Sequence, residues 1–130
     1  MDLFLLRLSV VYLFVGMCLG VYMGASEDFT LRPVHAHVNL LGWALLSVAG
    51  LISRAYPALQ NDKAFRAFCW TYNVAFPLGQ LALAAMLVSR GNRTSIAASA
   101  MEPLAILSAL ALLAAAVMLF VALGRCRPAR

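Results

Sequence analysis

The stretch PVHAHVNLLGWALLSVAGLISR, residues 33–54, sets the class of this protein. It holds no Asp, Glu or Lys, and it matches the length needed to cross a bilayer core, about 20 apolar helical residues. Pro33 suits the first turn of a helix, where its missing N–H costs nothing. Three further segments have the same character, at 3–24, 65–89 and 102–123. The sequence therefore predicts an all-α protein: one integral membrane four-helix unit covering 1–130. Its short loops make sequential helices antiparallel neighbours.

Composition points the same way. The chain is 64% hydrophobic and 12% charged, with a mean hydropathy of +0.88. Soluble domains carry about 25% charged residues. The apolar run in the first segment exceeds that of a signal peptide, and Asp2 precedes Arg7, so this segment is expected to be a retained span.

The net charge is +5, but the basic residues lie scattered in loops and a tail, which excludes a nucleic-acid face. They read instead as topology signals and contacts to lipid headgroups. Arg7, Arg54, Lys63, Arg66, Arg125, Arg127 and Arg130 fall on the side shared by the N-terminus, the middle loop and the C-terminus. Arg32, Arg90 and Arg93 fall on the other. By the positive-inside rule both termini are cytoplasmic, and the histidines lie near the outer side. Asn92-Arg93-Thr94 there fits a glycosylation triplet, which carries no meaning in a bacterial protein.

Cys18, Cys69 and Cys126 are too far apart for a zinc or CxxC site. Cys18 and Cys69 read as small packing hydrophobes. Cys126, between two arginines, reads as the more exposed thiol. Met17, Cys18 and Met23 are the soft groups available to copper, though their spacing forms no copper motif.

His35 and His37 are the chain's only histidines, and both lie in the opening turn of the second helix. Two residues apart on a regular helix, they point about 200° away from each other. They cannot ligate one metal together, so each needs a partner from another copy. Neutral imidazole suits haem iron, copper or zinc. Asn39, Gly42, Trp43 and Leu46 share the face of His35 by helical spacing, and Leu41, Ala44 and, further down, Ala55 that of His37, with Val48 between. Gly42 is expected to leave space against the backbone, with Trp43 and Leu46 bounding a pocket. Polar groups inside a membrane point to function by default.

These residues support a resemblance. LRPVHAHVNLLGWALLSVAGLISRAYP resembles the second helix of the haem–copper oxidase catalytic subunit, above all its cbb3-type and nitric oxide reductase-like branches. It is closer still to short four-span proteins labelled oxidase subunit I-like. FCWTYNVAFPLG, residues 68–79, is a weaker match, with Tyr72 where the family has a histidine. The family's copper-site histidine pair and cross-linked tyrosine are absent, so the resemblance does not extend to oxygen reduction.

The resemblance implies a bacterial inner-membrane protein equivalent to one four-helix arc of a twelve-helix ring. A homotrimer would rebuild that ring, and a dimer is the simpler alternative. A haem b would be held between His35 of one protomer and His37 of the next. Arg32 would pair with its propionates, and Asn39 and Trp43 would line it. Function is then electron transfer from a respiratory-chain donor, or redox or gas sensing. The alternative is a non-haem accessory protein for respiratory-complex assembly or copper handling. No carboxylate pair, Ser-His-Asp set or phosphate-binding loop argues for an enzyme.

Overall fold

The computed structural model describes residues 1–89 and 96–126, the side chains of 96–99 excepted. Arg90, the Asn92-Arg93-Thr94 triplet, Arg127 and Arg130 lie outside the described residues. Those described form four long helices: α1 (Asp2–Ser26), α2 (Arg32–Ala55), α3 (Lys63–Val88) and α4 (Ile96–Arg125). All four are long and apolar enough to cross a membrane. In hydrocarbon every backbone N–H and C=O needs an internal partner, and a helix supplies one within each segment.

The ends of these helices have local causes. After α1 the chain turns through Glu27, which takes a left-handed conformation at φ 54°. Asp28 Oδ1 accepts from the Thr30 N–H at 2.9 Å, shaping the turn into α2. At the opposite end a 3₁₀ turn, Pro57–Asn61, leads to Asp62. Asp62 Oδ1 caps α3 by accepting from the N–H groups of Ala64 (2.8 Å) and Phe65 (3.1 Å). The fourth helix begins at Ile96, six residues before the expected start at 102. Pro103 is carried inside α4 and Pro77 inside α3.

The N-terminus, the α2–α3 turn and the end of α4 meet at one end of the bundle. The N-terminal ammonium lies 3.4 Å from Gln60 Oε1, and Arg125 lies 3.8 Å from Asp62 Oδ2. This is the grouping that the up-down reading predicts. Between the ends, Leu5 of α1, Leu46 of α2, Phe65, Phe68, Cys69, Tyr72 and Phe76 of α3, and Ala115 and Ala122 of α4 form the core. Phe14, Val21, Trp70, Leu81 and Phe120 project outward, each more than 60% exposed, and form the apolar surface a bilayer would cover.

The helix α2 is not uniform. Arg32–His37 and Leu46–Ala55 are α-helical, but Val38–Leu45 is a π-helix. A π-turn takes in an extra residue, so side chains beyond His37 drift from the 3.6-residue register. The Tyr72 hydroxyl of α3 donates to the Leu41 carbonyl inside this stretch at 3.0 Å. Tyr72 is 3% exposed and stacks on Phe76, with centroids 5.6 Å apart, so it is a packing residue that also pins α3 to the π-helix.

Candidate functional site

The site is built where α1 and α2 approach closely. Gly16 and Gly20 repeat at the four-residue spacing that places small residues on one helix face and lets helices pack tightly in lipid. His35 and Asn39, also four apart, lie against them. A Cβ built on Gly16 would stand 2.5 Å from Asn39 Oδ1, and one on Gly20 would stand 3.1 Å from His35 Cε1. A Cβ at Gly16 would force the Asn39 amide to shift, and one at Gly20 would need the His35 ring to give by a few tenths of an ångström.

In that interface His35 Nδ1 lies 2.9 Å from the Gly16 carbonyl. A carbonyl only accepts, so Nδ1 carries the proton and donates, and Nε2 is the unprotonated nitrogen. Asn39 Nδ2 donates to the His35 carbonyl at 2.9 Å and lies 3.4 Å from both ring nitrogens. The imidazole is half-buried and held by two elements. A backbone carbonyl on the far nitrogen is the usual support for a metal-ligating histidine.

His37 faces the other way, as the α-helical register of Arg32–His37 requires. It is exposed and makes no side-chain hydrogen bond among the described residues. With Leu41 it lines a groove of about 330 Å³ that continues over Gly79, Gln80 and Leu83 of α3 and Ala105, Ala109 and Leu112 of α4. Gln80 is one of the lining residues; its Oε1, like Asn73 Oδ1 one face-repeat earlier on α3, is buried with no hydrogen-bond partner among the described residues.

The other sequence candidates separate. Arg32 is exposed at the start of α2, its guanidinium 5.5 Å over the Phe29 ring. Together with Thr30, Pro33 and Leu87 these two residues border a cavity of about 380 Å³ at the bundle end. Trp43 is 40% exposed and takes no part in the hydrogen bonds of His35. The space expected at Gly42 is filled by the protein itself. A Cβ there would meet Tyr12 Cγ at 2.8 Å and Phe76 Cε1 at 3.0 Å.

For copper the arrangement is poor. Met17 and Cys18 are exposed on α1 while Met23 is buried, so the three do not converge. Cys18 therefore faces outward and not into packing, Cys69 is in the core, and Cys126 is half-buried and not open. No group of three or more His, Cys, Asp or Glu comes together among the described residues. For haem the donor set fits only across copies. Each protomer offers an imidazole with its tautomer set by Gly16 and a second imidazole facing an apolar groove.

Fold and site thus define an all-helical protein with four potential membrane spans and two opposed histidines near one end of the second. The chain belongs to the family described as "Protein of unknown function (DUF2871)", whose model matches residues 4–126 and so takes in all four helices. Comparison with curated proteins and with solved structures returns no match.

Proposed function

We propose that this chain is a haem b-binding redox protein of the bacterial inner membrane, acting as a homo-oligomer with both termini in the cytoplasm. The observation that carries this reading is the division of labour between the two imidazoles. His35 donates Nδ1–H to Gly16, leaving Nε2 unprotonated, while His37 stands exposed on the opposite side of the same helix. The resemblance of residues 29–57 to the histidine-bearing helix of haem–copper oxidases supports the choice of group.

In a closed ring of three copies, His35 of one protomer and His37 of the next hold one haem. Such a heterologous contact closes naturally under cyclic symmetry. Asn39 fixes the His35 ring, Leu41, Leu83 and Leu112 keep water from the groove, and Arg32 pairs with propionates at the bundle end. When bound, the haem would supply one-electron exchange, and two imidazole ligands would suit it to electron transfer more than to gas binding. A respiratory-chain component supplies the electrons.

The reading is tested with protein purified in detergent from haem-supplied cells, assayed as the pyridine haemochrome and counted per protomer. One haem per protomer, lost with either His35→Ala or His37→Ala, supports the trimer. Loss with His35→Ala alone supports a dimer joined by two His35 residues. Colourless protein that takes up no haem overturns the reading and leaves His35 as a helix-packing group of an accessory protein.

A further inference from the structure

Arg7 follows the fully buried Leu5 by two positions, so on α1 it points about 200° away from the packed face. Its neighbours on that outward face, three, four or seven positions away, are Leu3, Phe4, Val10, Val11 and Phe14, and each is more than half exposed. Arg7 is itself exposed. At 1.5 Å per residue its Cα stands roughly 7.5 Å along α1 from Asp2. A helix of 25 residues, centred, overhangs the hydrocarbon by only about 4 Å at each end, so the Arg7 stem starts among acyl chains. Side chains lean toward a helix's N-terminus, which for α1 is the nearer bilayer surface. The guanidinium therefore reaches the headgroup level.

A charge in that layer calls for an anion, and the chain has none to give. The two acids at this end are already engaged. Asp2 lies 3.5 Å from the N-terminal ammonium, while Asp62 caps α3 and lies 3.8 Å from Arg125. Glu27, Asp28 and Glu102 belong to the opposite end of the bundle. Arg7 forms no ion pair among the described residues. A second copy carries the same acids, so it brings no free carboxylate to this level either.

We propose that Arg7 holds the phosphate of a phospholipid in the adjoining leaflet, with the acyl chains lying against the apolar face around it. Arg54, Lys63 and Arg66 are exposed at the same end and likewise form no ion pair among the described residues, so the rim favours anionic headgroups over zwitterionic ones. This goes beyond the haem reading and does not use it. It rests only on the insertion of α1 in a bilayer.

The test is native mass spectrometry of the full-length protein in detergent, titrated with phosphatidylglycerol or with phosphatidylcholine of the same acyl chains. Wild type should bind phosphatidylglycerol the more tightly. Arg7→Gln should weaken that binding about fivefold, the worth of one basic residue at a membrane surface, and Arg7→Lys should keep most of it. Equal affinity of wild type for the two lipids, or of wild type and Arg7→Gln for phosphatidylglycerol, overturns the proposal. Displacement of phosphatidylglycerol by inorganic phosphate also overturns it, since the site would then serve a soluble anion. So does an Arg7→Gln oligomer that dissociates with lipid affinity unchanged, which would put Arg7 in a contact between copies. Protein that stays dissolved without detergent overturns the membrane reading, and this inference falls with it.

Discussion

Substituting Gly16 by Ala probes the interface that holds His35. The new methyl carbon would stand 2.5 Å from Asn39 Oδ1 and 2.7 Å from Nδ2, inside van der Waals contact. Either the Asn39 amide swings away or α1 and α2 separate. The first course loses the 2.9 Å bond from Asn39 to the His35 carbonyl, about 1 kcal/mol. The second stretches the 2.9 Å bond between His35 and the Gly16 carbonyl, and such overpacking costs about 1–3 kcal/mol. Against this, Ala favours a helix over Gly by about 1 kcal/mol. The net expectation is a loss of about 0–2 kcal/mol, read from unfolding in mixed micelles titrated with a denaturing detergent. Asn39→Ala removes the obstructing amide, so adding it to Gly16→Ala should cost less than the sum of the two, with a coupling of about 1 kcal/mol or more. Additive double-mutant behaviour, with a coupling under about 0.5 kcal/mol, would refute the close approach on which the His35 geometry depends.

Four further outcomes follow from the same geometry. Tyr72→Phe leaves the Leu41 carbonyl without its 3.0 Å donor and should cost about 1–2 kcal/mol in the same unfolding assay. Glu27→Gly relieves a left-handed residue at φ 54° and should raise stability by about 1 kcal/mol. Asp62→Ala strips the cap from α3 and should cost about 1 kcal/mol, whereas Arg125→Ala, which breaks only an exposed 3.8 Å ion pair, should cost under about 0.5 kcal/mol. Gly42→Ala drives a methyl into Tyr12 and Phe76 and should destabilise by about 1–3 kcal/mol without touching either histidine.

Much of the fold is legible in the sequence, because a membrane span announces itself by length and hydropathy alone. Residues 3–24 and 33–54 fall within a few residues of α1 and α2 as they stand. The start of α4 is less legible: the apolar run suggests 102, whereas the helix already includes Ile96 and carries Pro103 within it. The opposed directions of His35 and His37 follow from their spacing, and both lie before the π-helix begins. Beyond them the 3.6-residue register fails. Trp43 stands 40% exposed, Gly42 packs on the Tyr12 and Phe76 rings, and no local residue pattern marks the π-helix at Val38–Leu45. The glycines at 16 and 20 did carry a signal: a four-residue repeat of the smallest residue in an apolar helix marks a close helix contact. What that repeat cannot specify is which helix fills it, and so the pairing of Gly16 with His35 needed the tertiary structure. Gln80 was likewise silent, since a glutamine in an apolar run does not show whether its oxygen is paired.

The measurement that bears most directly on the account is the visible spectrum of the purified wild-type protein, oxidised and then reduced with dithionite. The account predicts sharp α and β bands of b-type haem on reduction, from iron held by two imidazoles. An absence of visible absorption in both states, in protein made with haem in supply, would contradict it.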